Sequence, residues 1–291
     1  MRKRPRVLIV ITLAEVGGAQ TYVAQLLPAL ARRFDVAVAA GGSGPLRDAA
    51  QAAGVRFLAL RNLHRRVNPI RDLLALAELI SVMRRERPEI LHANSSKAGV
   101  LGRLAAVVAR VPIRIFTVHG WAFQAHSRPA SWAYLWADRL AGRWTTVTIC
   151  VAEHERSAGL SARTCRKGRT VVIRNAVDVA AAPRAGLNGG TPRLVTVGRL
   201  KAPKDYATLT RGFAALPRGS FEALIVGDGP DRPQIAGELK RLGLAEVVRL
   251  LGERRDVPEL LAGSDVFVLS SASEGLPLSV EEAMAAGLPV V

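Results

Sequence analysis

Two carboxylates stand eight positions apart near the end of the sequence, Glu274 in SEGLP and Glu282 in the LSVEEAMAAG that follows. A carboxylate accepts two hydrogen bonds from a vicinal diol, and both a ribose and a hexose present such diols. Pro277 suits the turn before a helix over 278–286, which makes Glu274 a loop carboxylate and sets Glu282 about one turn into the helix. Glu281 and Glu282 also complement a helix dipole, worth about 0.3–1 kcal/mol each. That role accounts for Glu281 but leaves Glu274 and its loop unexplained. A second constellation lies in VGRLKAPKDYATL, where Arg199 closes a strand and Lys204 stands at the start of the next helix. Two fixed cations at a helix N-terminus neutralise a diphosphate and stabilise it as a leaving group. Taken alone, the pair is more simply a solvated Arg and Lys in a loop.

In VGGAQTYV, Gly17 and Gly18 allow close backbone approach at a helix N-terminus, where free N–H groups favour an anion or a polar substrate group. Neither this loop nor VGDGPDRPQIAG has the GxGxxG spacing of a nicotinamide site, and tight turn chemistry explains each as readily as a ligand. His119 ends the run IRIFTVH, where a structural histidine is the commoner explanation of that residue by itself.

The elements that must position these residues alternate short Val/Ile-rich runs with helical patterns, the signature of parallel sheets covered by helices on both faces. Strands are expected at 6–12, 35–40, 55–60, 89–93, 113–119, 145–149 and 170–175, with helices such as AQTYVAQLLPALARR and DLLALAELISVMRRE between them. Residues 178–192 are rich in Gly, Pro and Ala and read as a linker. A second series follows at 193–199, 221–229, 247–252, 265–270 and 288–291. The expected organisation is an α/β chain of two doubly wound domains, 1–177 and 193–291, facing a cleft at the carboxyl ends of both sheets. The closing LPVV reads as a buried parallel strand in need of cover, so the second domain is expected to be truncated at its C-terminus.

Composition narrows the partners. The 291 residues are 49% hydrophobic and carry a net charge of +17, which favours polyanions or an anionic membrane surface. The basic runs 1–6, 61–66 and 83–88 suit anionic lipid headgroups, although solvated surface accounts for them equally well. No zinc spacing, aromatic-rich RNA strand or basic zipper is present, so nucleic acid is not an expected partner. Cys150 and Cys165 form neither a disulfide framework nor a metal-ligand spacing, and a reduced compartment is expected. The apolar run 7–14 ends at Glu15 without a cleavage site, so it reads as a first strand rather than a secretory signal. No run approaches the roughly 18 apolar residues of a membrane span.

Taken in order, GGAQTYVAQL, HANSSKAGVLGRLAA, TVHGWAF, VIRNAVD, VGRLKAPKDYATL, VGDGPDRPQI, LLGERRDVPELL and SEGLPLSVEEAMAAGLPVV resemble the serial motifs of glycosyltransferase family 4, retaining enzymes of the GT-B fold. The resemblance covers essentially the whole chain. It implies two Rossmann-like domains, the first binding the acceptor and the second a nucleotide-sugar. It implies that Arg199 and Lys204 hold the donor diphosphate, Glu282 the nucleotide ribose and Glu274 the donor sugar. The backbone of Gly275, Leu276, Pro277 and Leu278 is implied to line the sugar and phosphate, Gly17 and Gly18 to approach the phosphates, and His119 to stand near the donor sugar and the incoming acceptor. No metal or other cofactor is implied, in keeping with the lack of an Asp-x-Asp motif. Two motifs depart from the family pattern: Ala176 replaces the glycine of NGVD, and HANSSK replaces a more histidine-rich segment.

The activity so implied moves a hexose from a UDP- or GDP-sugar to an acceptor hydroxyl with retention, by front-face attack. The SSKAG and HGWAF segments resemble members that build surface polysaccharides on lipid carriers, so a lipid-linked saccharide is the expected acceptor. A cytoplasmic protein, peripheral on the cytoplasmic face of the cell membrane, is expected. The alternatives are a non-catalytic nucleotide-sugar-binding or assembly protein, an inactive fragment, or a same-fold enzyme that epimerises or phosphorolyses sugars.

Overall fold

Continuous runs of Val, Ile, Leu and Ala suit strands buried on both faces of a sheet, and the computed structural model forms them. The structure describes residues 4–125, 130–179, 182–183, 186 and 189–291. The chain divides into two compact units, Met1–Asn175 and Ala176–Val291. The expected linker at 178–192 lies partly outside the described residues.

The strands of the first unit are β1 (Arg6–Leu13), β2 (Asp35–Gly41), β3 (Arg56–Leu60), β4 (Ile90–Asn94), β5 (Ile113–Val118), β6 (Val147–Cys150) and β7 (Thr170–Val172). They form one parallel sheet in the order β3-β2-β1-β4-β5-β6-β7. Its helices are α1 (Gly18–Arg33), α2 (Pro45–Ala52), α3 (Pro69–Glu86), α4 (Ser96–Val108), α5 (Ala122–Ala125), α6 (Ala130–Gly142) and α7 (Glu153–Ser161). β1 is buried from Val7 to Leu13 and central, with Ile9 in register with Val38 on β2 and His92 on β4. A Cβ on Gly99 would fall 2.4 Å from the Phe116 ring, so glycine lets α4 settle on the sheet. From α4 the fully buried Arg103 pairs with Asp138 of α6 at 3.0 Å. Its Nε donates to Gly99 O, its Nη1 to Thr145 Oγ1, and its guanidinium lies 3.9 Å from the Phe116 ring centre. A buried charge is tolerated only when it is paired and hydrogen-bonded in this way.

The second unit contains β8 (Arg193–Val197), β9 (Glu222–Val226), β10 (Val248–Gly252) and β11 (Val266–Phe267), parallel in the order β10-β9-β8-β11. Its helices are α8 (Tyr206–Ala214), α9 (Arg232–Arg241), α10 (Val257–Ala262) and α11 (Leu278–Ala285). Separate apolar clusters cover the two faces, one built on Leu209, Phe213 and Ile225, the other on Val195, Val226 and Phe267. Several expected strands are shorter than the sequence suggests, among them β7, with three residues instead of 170–175, and β9, with five instead of 221–229. β11 spans two residues instead of 265–270, and LPVV contributes a single parallel bridge, Val290 to Phe267. Pro289 has no N–H to give a ladder, so only its carbonyl takes part, accepting from Phe267 N–H at 2.9 Å. Leu288 is buried as expected, whereas Val290 and Val291 are exposed.

In both sheets the strand order reverses at one place, between β1 and β4 and between β8 and β11. Loops leaving the carboxyl ends of such a pair diverge and open a crevice for a ligand.

Candidate active site

β8 ends at Val197, and the chain leaves it through Gly198, Arg199 and Leu200. The loop after β9 fastens onto this exit: Leu200 N–H donates to Asp228 O and Asp231 N–H to Leu200 O, each at 3.0 Å. Gly227 has φ +130°, and a Cβ there would lie 2.1 Å from Gly198 O. The glycine of VGDGP thus permits a loop-to-loop approach that no side chain allows, and it fixes the strand end that carries Arg199.

Lys204 stands two residues before α8, whose N-cap Asp205 accepts from the backbone N–H and the hydroxyl of Thr208 at 3.0 and 2.6 Å. The exit from β11 runs alongside. Lys204 and Ser271 form an antiparallel bridge, Ala272 N–H donates to Pro203 O at 2.9 Å, and Ser270 Oγ donates to Asp205 O at 2.7 Å. Three residues past Ser271, Glu274 Oε1 meets Lys204 Nζ at 2.7 Å, with the two side chains only 27% and 17% exposed. The Tyr206 hydroxyl donates to Gly198 O at 3.0 Å, and burial, with the charge of Glu274, pushes its phenol up.

Pro277 caps α11, its carbonyl accepting from Val280 and Glu281 N–H. Gly275, Leu276 and Pro277 are half-buried and Leu278 is buried, so this backbone forms the helix entrance. Glu282, a turn into α11, has its carboxyl pushed up to about 6 by burial and then by the neighbouring Glu281. Glu281 lies in the first turn of α11, where an acid complements the helix dipole, as expected. Burial raises its carboxyl, and among the described residues its Oε2 is a buried oxygen without a hydrogen-bond partner, as is Ser271 Oγ.

In the first unit, Gly17 caps α1, its carbonyl accepting from Gln20 and Thr21 N–H at 3.0 and 2.9 Å, and the space beside Gly18 is open. The ends of β1 and β4 are pinned by a 2.7 Å hydrogen bond between the Thr12 and Ser95 hydroxyls. His119, just past β5, has Nε2 3.1 Å from Asn94 Oδ1, while the Asn94 amide N–H donates toward His92 O. Nε2 therefore carries the proton and Nδ1 is the ring's acceptor. Burial, then repulsion from His92, pushes His119 down to about 3, so the ring is neutral at ordinary pH. Tyr22 of α1 packs edge-on against it at 4.8 Å.

The expected site residues thus fall into two groups. Gly17, Gly18 and His119 gather at the carboxyl edge of the first sheet, and Arg199, Lys204, Glu274, Gly275 to Leu278 and Glu282 at that of the second. Sequence reasoning missed Asn94, Tyr22, Tyr206 and Ser271, which position the others. Each lies inside or beside a quoted motif, but nothing in its type distinguishes a positioning role from a core one.

The model of glycosyltransferase family 4 matches residues 16–181, and that of the group 1 glycosyl transferases matches residues 191–291. The chain belongs to glycosyltransferase family 4. Among curated relatives of this family 4 enzyme, the UDP-Gal:alpha-D-GlcNAc-diphosphoundecaprenol alpha-1,3-galactosyltransferase of Escherichia coli is 33% identical over 290 residues, covering 92% of this chain and 73% of that one. The O-antigen biosynthesis glycosyltransferase WbnH of Escherichia coli is 24% identical, covering 97% of this chain and 79% of its own. Among solved structures, Anabaena HepE in complex with UDP and glucose superposes with a TM-score of 0.83 at 23% identity, covering 98% of this chain and 79% of that one. The fold is GT-B, and the protein is a glycosyltransferase, which disfavours a non-catalytic binding protein.

Proposed function

We propose that this glycosyltransferase moves a hexose from a UDP-sugar to a hydroxyl of a lipid-linked saccharide, with retention at the anomeric carbon and without a metal. The observation that carries this reading is the 2.7 Å contact between Lys204 and Glu274 at the strand-order reversal of the second unit, with Glu282 in the adjoining helix. A cation, two diol-accepting carboxylates and a helix entrance are the complement of a sugar, a diphosphate and a ribose. Lys204 has three donors. On donor arrival it gives one to a phosphate oxygen, and Glu274 turns its freed capacity to a sugar hydroxyl. Glu282 accepts from the ribose diol, and Arg199 shares the diphosphate charge. His119 accepts a hydroxyl hydrogen bond through Nδ1, and the backbone at Gly17 and Gly18 approaches phosphate oxygens.

In the reaction the bond from the anomeric carbon to the diphosphate breaks while the acceptor oxygen bonds on the same face. The departing phosphate oxygen takes the acceptor proton. Arg199 and Lys204 stabilise the charge that develops on the leaving group.

UDP rather than GDP is favoured because HepE was solved with UDP and the galactosyltransferase relative is named for UDP-Gal. The lipid-linked acceptor is supported by that relative's diphosphoundecaprenol substrate. It is also supported by exposed apolar residues at the start of α3, Ile70, Leu73 and Leu74, with Val67 just before the helix, near Arg65, which pairs with Glu15 of the β1–α1 loop. Such an acceptor places the enzyme at the cytoplasmic face of a membrane. Among the described residues no helix is long and apolar enough to cross one.

Calorimetric titration with UDP, GDP and their sugars tests the donor half. UDP binding that weakens in Glu282→Gln and Lys204→Ala is expected, whereas GDP preference, or indifference to both variants, contradicts the assignment.

A further inference from the structure

Three of the four tryptophans of the sequence fall on one segment. Trp132, Trp136 and Leu140 of α6 are 53%, 58% and 44% exposed, and Trp144, just beyond the helix, is 36% exposed. A spacing of four residues advances only ~40° around a helix, so the three on α6 form one stripe. The fourth, Trp121, is buried in the core. The inner side of α6 is equally clear: Ala141 and Gly142 are buried, and so is Asp138, the helix's only acid, on Arg103.

The rim of the stripe is cationic. The Arg139 guanidinium lies 5.1 Å from the Trp136 ring centre and its Nε donates to Ala162 O, and Arg143 is exposed. Gly142 packs so tightly on Thr164 that a Cβ would fall 2.1 Å from the Thr164 carbonyl oxygen. The stretch ARTCRKGR, 162–169, therefore lies against the carboxyl end of α6 and presents Arg163, Arg166, Lys167 and Arg169 to solvent. The acids of this part of the chain are already engaged or hidden: Glu153 pairs with Arg156, and Glu155 is buried.

Indole rings prefer the boundary between headgroups and acyl chains, where an apolar body and a polar N–H are both accommodated, and cations beside them draw anionic headgroups. We propose that α6 and the adjoining 162–169 stretch form a bilayer-docking face, with the indoles at the acyl boundary and the six cations on anionic phospholipid headgroups. A second copy of this chain is a poor occupant, because it would bring the same cations face to face on molecules of net charge +17. The face differs from the basic runs named from sequence. In those, Arg65 pairs with Glu15 and Arg85 with Glu86, and residues 1–3 lie outside the described residues. The proposal is independent of donor and acceptor and is read without either.

The test is binding of the whole chain to vesicles of phosphatidylcholine with or without phosphatidylglycerol, followed by co-sedimentation and by quenching of tryptophan emission with brominated phosphatidylcholine. Binding that needs the anionic lipid, weakens with salt and quenches most of the emission is expected. Trp132→Ser with Trp136→Ser should lower the partition about tenfold. Arg163→Gln, Arg166→Gln and Lys167→Gln together should lower it roughly a hundredfold. Unchanged thermal melting confirms that both variants fold. Absent binding, binding indifferent to both variants, or bound protein whose tryptophans are not quenched overturns the proposal. So does a dimer that the tryptophan variant dissociates, which would assign the stripe to a protein partner.

Discussion

Lys204 and Glu274, seventy positions apart in sequence, are held 2.7 Å from each other by a backbone bridge that neither side chain makes. The bridge joins Lys204 to Ser271 and is flanked by Ala272 N–H on Pro203 O and Ser270 Oγ on Asp205 O. The loops from two adjacent parallel strands are thereby closed on each other, and their charges are aligned before any donor arrives. Electrostatic stabilisation of a leaving group depends on such preorganisation.

Removing the cation should be costly. Lys204→Ala is expected to lower kcat about 10²- to 10³-fold, measured as nucleotide release under saturating donor. Glu274→Gln should lower it as well. Because each residue holds the other, the double variant should lose less than the product of the two single losses.

Donor affinity should depend on the protonation of Glu282. Burial pushes its carboxyl up to about 6, and the ribose contact proposed for it requires the ionised acceptor, so UDP affinity should fall as pH drops through about 6. For stability the sign is opposite. A folded pKa raised above the ordinary carboxylate value gives a contribution that is full at low pH and lost as pH rises through about 6. Bound UDP should therefore raise Tm most above that pH, and Glu282→Gln should abolish the pH dependence of binding. Thermal shift with and without UDP across that range measures both.

Asn94 should set the tautomer of His119. In Asn94→Asp the new carboxylate accepts the same Nε2 proton and raises the ring's pKa from its value of about 3. The variant's activity should then decline on acidification through a titration that the parent lacks. Asn94→Ala, which fixes no tautomer, should lower kcat at every pH. A pH–rate profile of the three proteins separates these outcomes.

The Arg103–Asp138 pair tests the first unit's architecture apart from chemistry. Asp138→Ala leaves a guanidinium buried without its partner, and about 3–5 kcal/mol of stability should be lost. Denaturant unfolding reads this as a lower midpoint.

Much of this was legible from residue order. Apolar runs located β1 to β6 and β8 to β10 to within a few residues, because strands buried on both faces have no other way to read. The same rule overreached at 265–270, where only Val266 and Phe267 pair with β8, whereas 288–291 does run parallel beside it, with Phe267 N–H on Pro289 O, Val291 N–H on Phe267 O and Leu269 N–H on Val291 O. Glu274, Glu282, Arg199 and Lys204 were visible as charges at element ends. Their supports were not, since Tyr206, Ser271 and Asn94 act through hydrogen bonds to residues distant in sequence. The exposed tryptophans of α6 were equally silent, because periodicity alone does not tell an outward apolar stripe from an inward one.

The central claim is retaining transfer from a UDP-sugar at the Lys204–Glu274 site. It is tested most directly by incubating the protein with UDP-galactose or UDP-glucose and a lipid-diphosphate-linked saccharide, following UDP release and the anomeric proton of the product by NMR. Acceptor-dependent release of UDP, an α-linked product, and a loss of about two orders of magnitude or more in Lys204→Ala are predicted. A β-linked product, no acceptor-dependent release, or equal turnover by the Lys204→Ala protein would contradict it.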